Sequence, residues 1–508
     1  MRPGYAFWVS FLIVLMIVSV VAQAEEPALP AGLEPVGKSS SEPALPAGLE
    51  SASAPTVEPA LPVGLEPSLP AGLDSVGERT QEPALPSGLE PALPEGLGTA
   101  PFNEENDSAS ALRKESPLQF HGFWDVRAGS RITSDPAQAK DATLGEMRLQ
   151  LKTDKDWDRV FIEFTGDALF DAVEERARID LRQLRLTWTP VESLDIRIGR
   201  QVLTWGTGDM LFINDLFPKD WRSYFSGRDV EYLKAPSNAA RIGWFNEIMN
   251  VEVVYTPRFN PDRYITGKRF SYFSPMHGKT VGRKQQVHTI EPDDWFDNDE
   301  IAVRLYRNLG SAQLALYGYS GYWKSPGGMQ LFPSRAIFPK LRVYGASIRG
   351  ALGKGIANLE FGYYDSYQDR SGSSPFINNS EIRFLAGYER EIGHEFTAGI
   401  QYYLEYMQQY KAYKKTLPFF MKARDRDRHL ITLRLTKQLL QQNLILSLFA
   451  YASPSDSDSY LRPNVSYKIN DNWTVDFGGN IFMGRQRHTF FGQFEDNTNV
   501  YAGARVAF

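Results

Sequence analysis

From residue 118 to residue 508 apolar side chains recur at every second position in one segment after another, and few sequence patterns restrict a fold more. A period of two sends alternate residues to opposite faces of a strand. Residues 144–153 show it cleanly, with Met147, Leu149 and Leu151 opposed by Glu146, Arg148, Gln150 and Lys152. In residues 118–131, Phe120, Gly122, Trp124 and Val126 share one face, while Phe123, Asp125, Arg127 and Arg131 share the other. Residues 499–508 keep the rule, since Val500, Ala502, Ala504, Val506 and Phe508 alternate with Tyr501, Gly503 and Arg505. One such strand alone suits the half-buried edge of a soluble sandwich. Repeated along the chain, the pattern suits a wall with lipid on one side and water on the other.

The pattern predicts about eighteen strands, within a range of 16–20. They lie at residues 118–131, 144–153, 157–167, 178–189, 194–205, 239–247, 251–257, 301–308 and 312–323. The series continues at 341–350, 356–367, 381–389, 395–406, 429–436, 444–452, 460–469, 473–482 and 499–508. Connections after even-numbered strands are brief, at 154–156, 190–193, 248–250, 309–311, 351–355, 390–394, 437–443 and 470–472. The others are mostly longer, above all 206–238 and 259–300. Short turns on one rim and long loops on the other belong to a barrel inserted from one side. In hydrocarbon an unpaired strand edge costs several kcal/mol per backbone group, so the sheet has to close. The expected class is therefore all-β, a transmembrane antiparallel β-barrel over residues 117–508. Its apolar phase slips at Arg182-Gln183, where a β-bulge is expected.

Mean hydropathy of -0.35 excludes a helical membrane protein, but not a barrel in which only alternate residues meet lipid. An aromatic share of 13% fits interfacial girdles, and the absence of cysteine fits passage through an oxidising compartment. Residues 1–24 read as a signal peptide: Arg2, then an apolar run, then Ala22-Gln23-Ala24 ahead of Glu25. An uncleaved anchor is the rival reading. Residues 25–116 repeat Pro-Ala-Leu-Pro-Ala-Gly-Leu and near-copies from Pro27, Pro43, Pro59, Pro67, Pro83 and Pro91. Prolines three apart deny the backbone a hydrogen-bond ladder, so a disordered, periplasmic linker is expected. Up to residue 116 there are 16 Asp and Glu against 5 Lys and Arg, leaving 45 acidic and 50 basic residues beyond, from totals of 61 and 55. The acidic tail is either a spacer or a docking segment for a periplasmic partner.

With apolar residues outward, the lumen receives Arg127, Arg131, Glu146, Arg148, Lys152, Arg159, Glu163, Arg178, Asp180, Arg185 and Arg197. Later strands add Arg342, Glu360, Arg383, Arg434, Arg462, Lys468, Asp476 and Arg505. Cations outnumber anions. Such a lumen concentrates anions, or its Arg and Glu ladders cross-brace the wall, and both can hold at once.

The segment Arg197-Ile-Gly-Arg-Gln-Val-Leu-Thr-Trp-Gly206, followed by Asp209 and by Ile213-Asn-Asp-Leu-Phe-Pro218, resembles the Gly-Arg-Gln...Trp-Gly stretch of uncharacterised outer-membrane porins. It is more loosely similar to alginate-export channels, whose barrels have eighteen strands and a basic lumen. The terminal strand ending at Phe508 likewise resembles the closing strand by which bacterial outer-membrane barrels address their insertion machinery. These resemblances imply a Gram-negative outer membrane, contact with its lipid and lipopolysaccharide, and passage of a solute, without carrying over a substrate. The loop after Trp205, with Asp220, Trp221, Arg222, Arg228 and Asp229, either folds inward as a constriction or packs over the outer mouth.

The six histidines, His121, His277, His288, His394, His429 and His488, show no metal-ligand spacing and no nucleophile motif. No enzyme, cofactor or nucleic-acid partner is expected. His429 falls on the lipid-facing phase, where a girdle role suits it. Calcium at Asp293, Asp294, Asp297 and Asp299 competes with a solvated or lipopolysaccharide-bridging loop. The function expected is a passive porin-like channel for polar and anionic solutes. Its rival is a structural or assembly barrel anchoring a periplasmic or secretion partner through the tail.

Overall fold

A computed structural model describes residues 118–508. The signal peptide and the repeat segment lie outside the described residues. The wall begins with β1 (Phe120–Arg131), β2 (Ala142–Trp157), β3 (Val160–Asp171), β4 (Arg176–Val191), β5 (Leu194–Val202) and β6 (Pro236–Trp244). It continues with β7 (Asn250–Thr256), β8 (Glu300–Leu309), β9 (Ala312–Tyr322), β10 (Lys340–Leu352), β11 (Gly355–Asp365) and β12 (Glu381–Gly393). The last six are β13 (Phe396–Met407), β14 (Asp427–Leu439), β15 (Leu444–Ser453), β16 (Asp458–Lys468), β17 (Trp473–Gly484) and β18 (Asn499–Ala507). Each pairs antiparallel with its sequence neighbours in one 18-stranded sheet.

The ring closes where β18, already paired with β17, pairs on its other edge with β1 from Phe123↔Ala507 to Arg131↔Asn499. Gly122 and Phe508 complete the seam by exchanging backbone hydrogen bonds of 3.0 Å. Every strand expected from alternation has its counterpart. Short turns such as Gly310-Ser311 and Gly353-Lys354 share one rim, while residues 203–235 and 257–299 open from the other.

Several strand ends move by two to four residues, and two of the shifts bear on the interior. The turn expected at 154–156 falls instead at Asp158 and Arg159, because β2 pairs with β3 through Trp157↔Val160 and Asp158 takes the positive φ of 53° that a tight turn needs. Strand β5 ends at Val202 rather than Trp205, since its pairing with β6 stops at Val202↔Pro236 and the chain leaves the wall there. The expected bulge is present. Thr165 pairs with Gln183 but Gly166 with Leu181, leaving Arg182 as the extra residue, its side chain buried. Outside the wall, Trp157, Trp188, Trp244 and Trp473 stand exposed near the short-turn rim, as amphipathic rings do at a membrane interface.

Candidate functional site

Residues 203–235 do not pack over the mouth. They run inside the wall and touch it on facing sides. The segment's α-helical turn, α1 (Trp221–Ser226), starts at Asp220, whose carboxylate accepts the Ser223 amide at 2.8 Å, and stops at Gly227 in the left-handed region. A side chain at Gly227 would meet the Tyr501 ring at 2.2 Å, so glycine serves both the turn and the close approach to β18.

On one side the loop is held by rings and aliphatic groups. Phe225 meets Tyr460, Phe482 and Phe494 with centroids at 5.5, 5.3 and 5.1 Å, the first two edge-on. The Tyr224 hydroxyl bonds that of Tyr451 at 3.1 Å, and Tyr451 donates to the Met210 carbonyl. Ile213 is fully buried in the cluster that holds Leu341, Val343, Tyr364, Leu385 and Leu430. Glu360 on β11 collects the amides of Thr207, Gly208 and Asn214 and the Asn214 side chain.

On the other side the seam is ionic. Arg228 forks onto Glu146 of β2, its Nε donating at 2.8 Å. Arg269, from the loop at 257–299, pairs with the same Glu146 at 3.2 Å and also with Asp171. Arg127 donates to the Gly227 carbonyl at 3.2 Å while paired with Asp125 and Asp476 at 2.8 and 2.6 Å. Arg505 bridges Asp125 and the loop's Asp229 at 3.0 and 3.3 Å, and Arg462 donates to the Arg228 carbonyl. The bulged Arg182 and Arg148 both lie over the Tyr232 ring, at 4.3 and 3.9 Å, so the bulge aims a guanidinium onto the loop.

Burial opposes ionisation of Asp220, yet Arg263, Arg222, Arg228 and the Ser223 amide together outweigh it and hold its carboxyl well below the usual range. Burial likewise works against Arg228, and Glu146, Asp220 and Asp171 more than restore its charge. Asp209, facing Arg434 at 2.6 Å, goes the other way: burial raises its carboxyl despite Arg434 and Arg349.

The remaining expected lumen residues sort by sector. Arg185 with Glu163 and Arg197 with Asp195 form ladder pairs, continued by Arg241 with Glu252, which were not among the expected residues; their arginines are 15–19% exposed, like Arg383 and Arg434 at 17–18% and wetter than Arg127, Arg148 and Arg505 at 6–7%. Arg178 and Asp180 share this wall, Asp180 pairing with Arg263 at 2.6 Å. Arg131 is buried beside Asp135, Arg383 pairs with Glu381 at 2.7 Å, and Arg434 reaches Asp209. Lys152 keeps the inward phase of Gln150 but is exposed towards the short-turn end, as is Lys468 beside Asp471.

Two expected lumen residues lie elsewhere. Arg159 occupies the turn after β2, exposed, and donates to the Pro190 carbonyl, because β2 outruns its expected end. Arg342 is exposed on the outward face, stacked on Tyr367 at 4.6 Å. Its apolar neighbours Leu341 and Val343 turn inward instead, against the loop, so the assumption that apolar means outward inverts in this strand. Strand β15 carried the warning in its Leu-Ile-Leu-Ser-Leu-Phe-Ala run, which is apolar on both faces. The contribution of Arg269 has no local sequence signal.

Asp293, Asp294, Asp297 and Asp299 are exposed, and among the described residues no three metal-ligating side chains converge on one point. His429 sits on the outward phase of β14, its Nδ1 2.7 Å from the Tyr402 hydroxyl.

No protein-family model matches the chain, and no curated protein matches it. Solved structures that resemble it include Acinetobacter baumannii OccAB3, at a TM-score of 0.47 and 10% identity, over 77% of this chain and 99% of that one. Pseudomonas aeruginosa OccK11 gives a TM-score of 0.44 and 8% identity, over 77% and 96%. A mutant of the Rh. blastica porin gives 0.34 and 10%, over 77% and 100%.

Proposed function

We propose that the chain is a passive channel in the outer membrane of a Gram-negative bacterium, admitting polar solutes with a modest preference for anions. The carrying observation is the closed 18-stranded wall around partly exposed arginines of the ladder pairs on β3 to β7. A barrel of this strand number is too wide for its own side chains to fill. The inward loop narrows it and leaves partly exposed arginines, Arg185, Arg197, Arg241, Arg383 and Arg434, along the remaining route. Guanidinium groups in a low-dielectric wall raise local anion concentration. In this reading the long loops face outward and the repeat tail hangs with the short turns in the periplasm.

Single-channel conductance and reversal potential of refolded protein test it. Ohmic openings with a small anion preference are expected, and deletion of residues 25–107 should leave both unchanged. Absence of conductance removes the channel, and cation selectivity removes its electrostatic half. Conductance retained in the deletion while a bound periplasmic protein is lost would assign the tail a separate anchoring role.

A further inference from the structure

Above the inward loop, on its long-loop side, lies a cavity of about 820 Å³. Its floor is unlike the ladder sector. Met210, Leu211, Phe212, Leu216 and Trp221 are each buried on one side in the core cluster and open on the other to this space. Half-buried aliphatic and aromatic groups facing a water-filled lumen lose the hydrophobic gain that a covering molecule would supply.

The rings offer surface rather than donors. Trp221 Nε1 already donates to Asp262 at 3.2 Å, and Trp323 Nε1 to the Ser366 hydroxyl at 3.3 Å. Many charges in the wall are also engaged with one another, while Lys422 and Asp425 stand exposed. Arg383 pairs with Glu381 at 2.7 Å, Arg428 with Asp456 at 2.9 Å, and Lys219 with Asp215 at 2.9 Å. Asp262 accepts from the Lys219 amide, Trp221 and Ser325. With most of its ions paired, an apolar floor under a polar surround suits a body with a flat apolar face better than a bare ion.

We propose that this cavity is a binding subsite for uncharged, amphipathic organic solutes of ring size, held by an apolar face against the loop before they pass it. The inference rests on the channel reading and adds a solute class that the ladder sector does not provide. The test uses two uncharged, water-soluble probes on the full chain: 4-nitrophenyl glucoside, which carries a flat ring, and methyl glucoside, which does not. In planar bilayers the nitrophenyl compound added from the long-loop side should interrupt the current in resolved, concentration-dependent events, and methyl glucoside should not. Leu211→Asn with Leu216→Asn should shorten those events about tenfold or more, the discrimination that lost apolar contact gives in a pocket, while heat-dependent gel mobility like the parent's shows the barrel folded.

Equal effects of both probes, or events unchanged in the double variant, overturn the subsite and leave the channel standing. If the protein does not conduct, quenching of tryptophan fluorescence by the nitrophenyl group separates the two claims. Saturable quenching that the double variant loses would keep the subsite and discard the channel, and non-saturable quenching would discard both.

Discussion

One loop is fastened to two sides of the same barrel by unlike chemistry. Against β9 to β17, Ile213, Tyr224 and Phe225 sink among buried side chains such as Val343, Leu385, Tyr460 and Phe482. Against β1, β2 and β18, Arg228, Gly227 and Asp229 meet Glu146, Arg127 and Arg505 through ion pairs and charge-assisted hydrogen bonds. The first seam draws on area removed from water and degrades gradually when a side chain shrinks. The second has no gradual failure, because removing one charge strands its partner in a poorly hydrated site. The contrast teaches that the apolar seam fixes where the loop lies, while the ionic seam makes its register intolerant of change.

The largest effect should come from breaking the ionic seam. Arg228→Met leaves Glu146 beside Asp171 with one counter-charge fewer and should cost about 3–5 kcal/mol, read as a lower thermal midpoint in detergent. Open-channel conductance should rise as the loop detaches. Neutralising both partners, Arg228→Met with Glu146→Gln, should return most of the lost stability. A single variant indistinguishable from the parent would show that Arg269 and Arg148 suffice and that the seam is redundant.

A smaller loss is expected on the apolar side, and it should be graded. Phe225→Ala removes a ring packed edge-on to Tyr460 and Phe482 and should cost about 3 kcal/mol. Phe225→Leu keeps most of the volume and should cost under about 1.5 kcal/mol. Arg228→Lys has no such refuge, since an ammonium cannot reproduce the guanidinium fork. Thermal midpoints for the four single variants test the distinction directly: a steep loss for Phe225→Leu, or a mild one for Arg228→Lys, erases it.

The barrel itself was legible because lipid leaves so few choices. Alternation marked all the strands, short and long connections sorted onto opposite rims, and the misfit of Leu181 with Leu184 located the bulge at Arg182. The interior was legible only where water or charge faces inward. At β10 the rule put Arg342 in the lumen, whereas Leu341 and Val343 hold that side, because the loop supplies there the apolar surroundings that lipid supplies outside. A periodicity argument sees two faces but not what lies against each. The inward course of residues 203–235 rests on contacts such as Glu360 to Thr207 and Arg228 to Glu146, more than eighty residues apart in sequence, which no local pattern encodes.

The subtlest expected effect lies between the two seams, at Asp209. Its backbone is clamped by Gln401 in both directions at 2.8 Å, and its carboxylate meets Arg434 at 2.6 Å, with Arg349 and Glu389 as further charged neighbours. Burial raises this carboxyl above the usual aspartate value of about 3.9. A carboxyl raised on folding favours the folded state most when protonated, a contribution that is lost as pH rises through the folded value. Acidification through that value therefore should not loosen the loop on this account, but it should leave the Arg434 guanidinium, which cannot deprotonate, without its counter-charge. Anion preference, followed as reversal potential against pH, should then increase on acidification before the ordinary carboxylates titrate. Asp209→Asn should show the higher preference already at neutral pH and lack that step. If the step persists in Asp209→Asn, the titrating group is another carboxylate such as Glu389, and the pairing of Asp209 with Arg434 does not set the selectivity of the path.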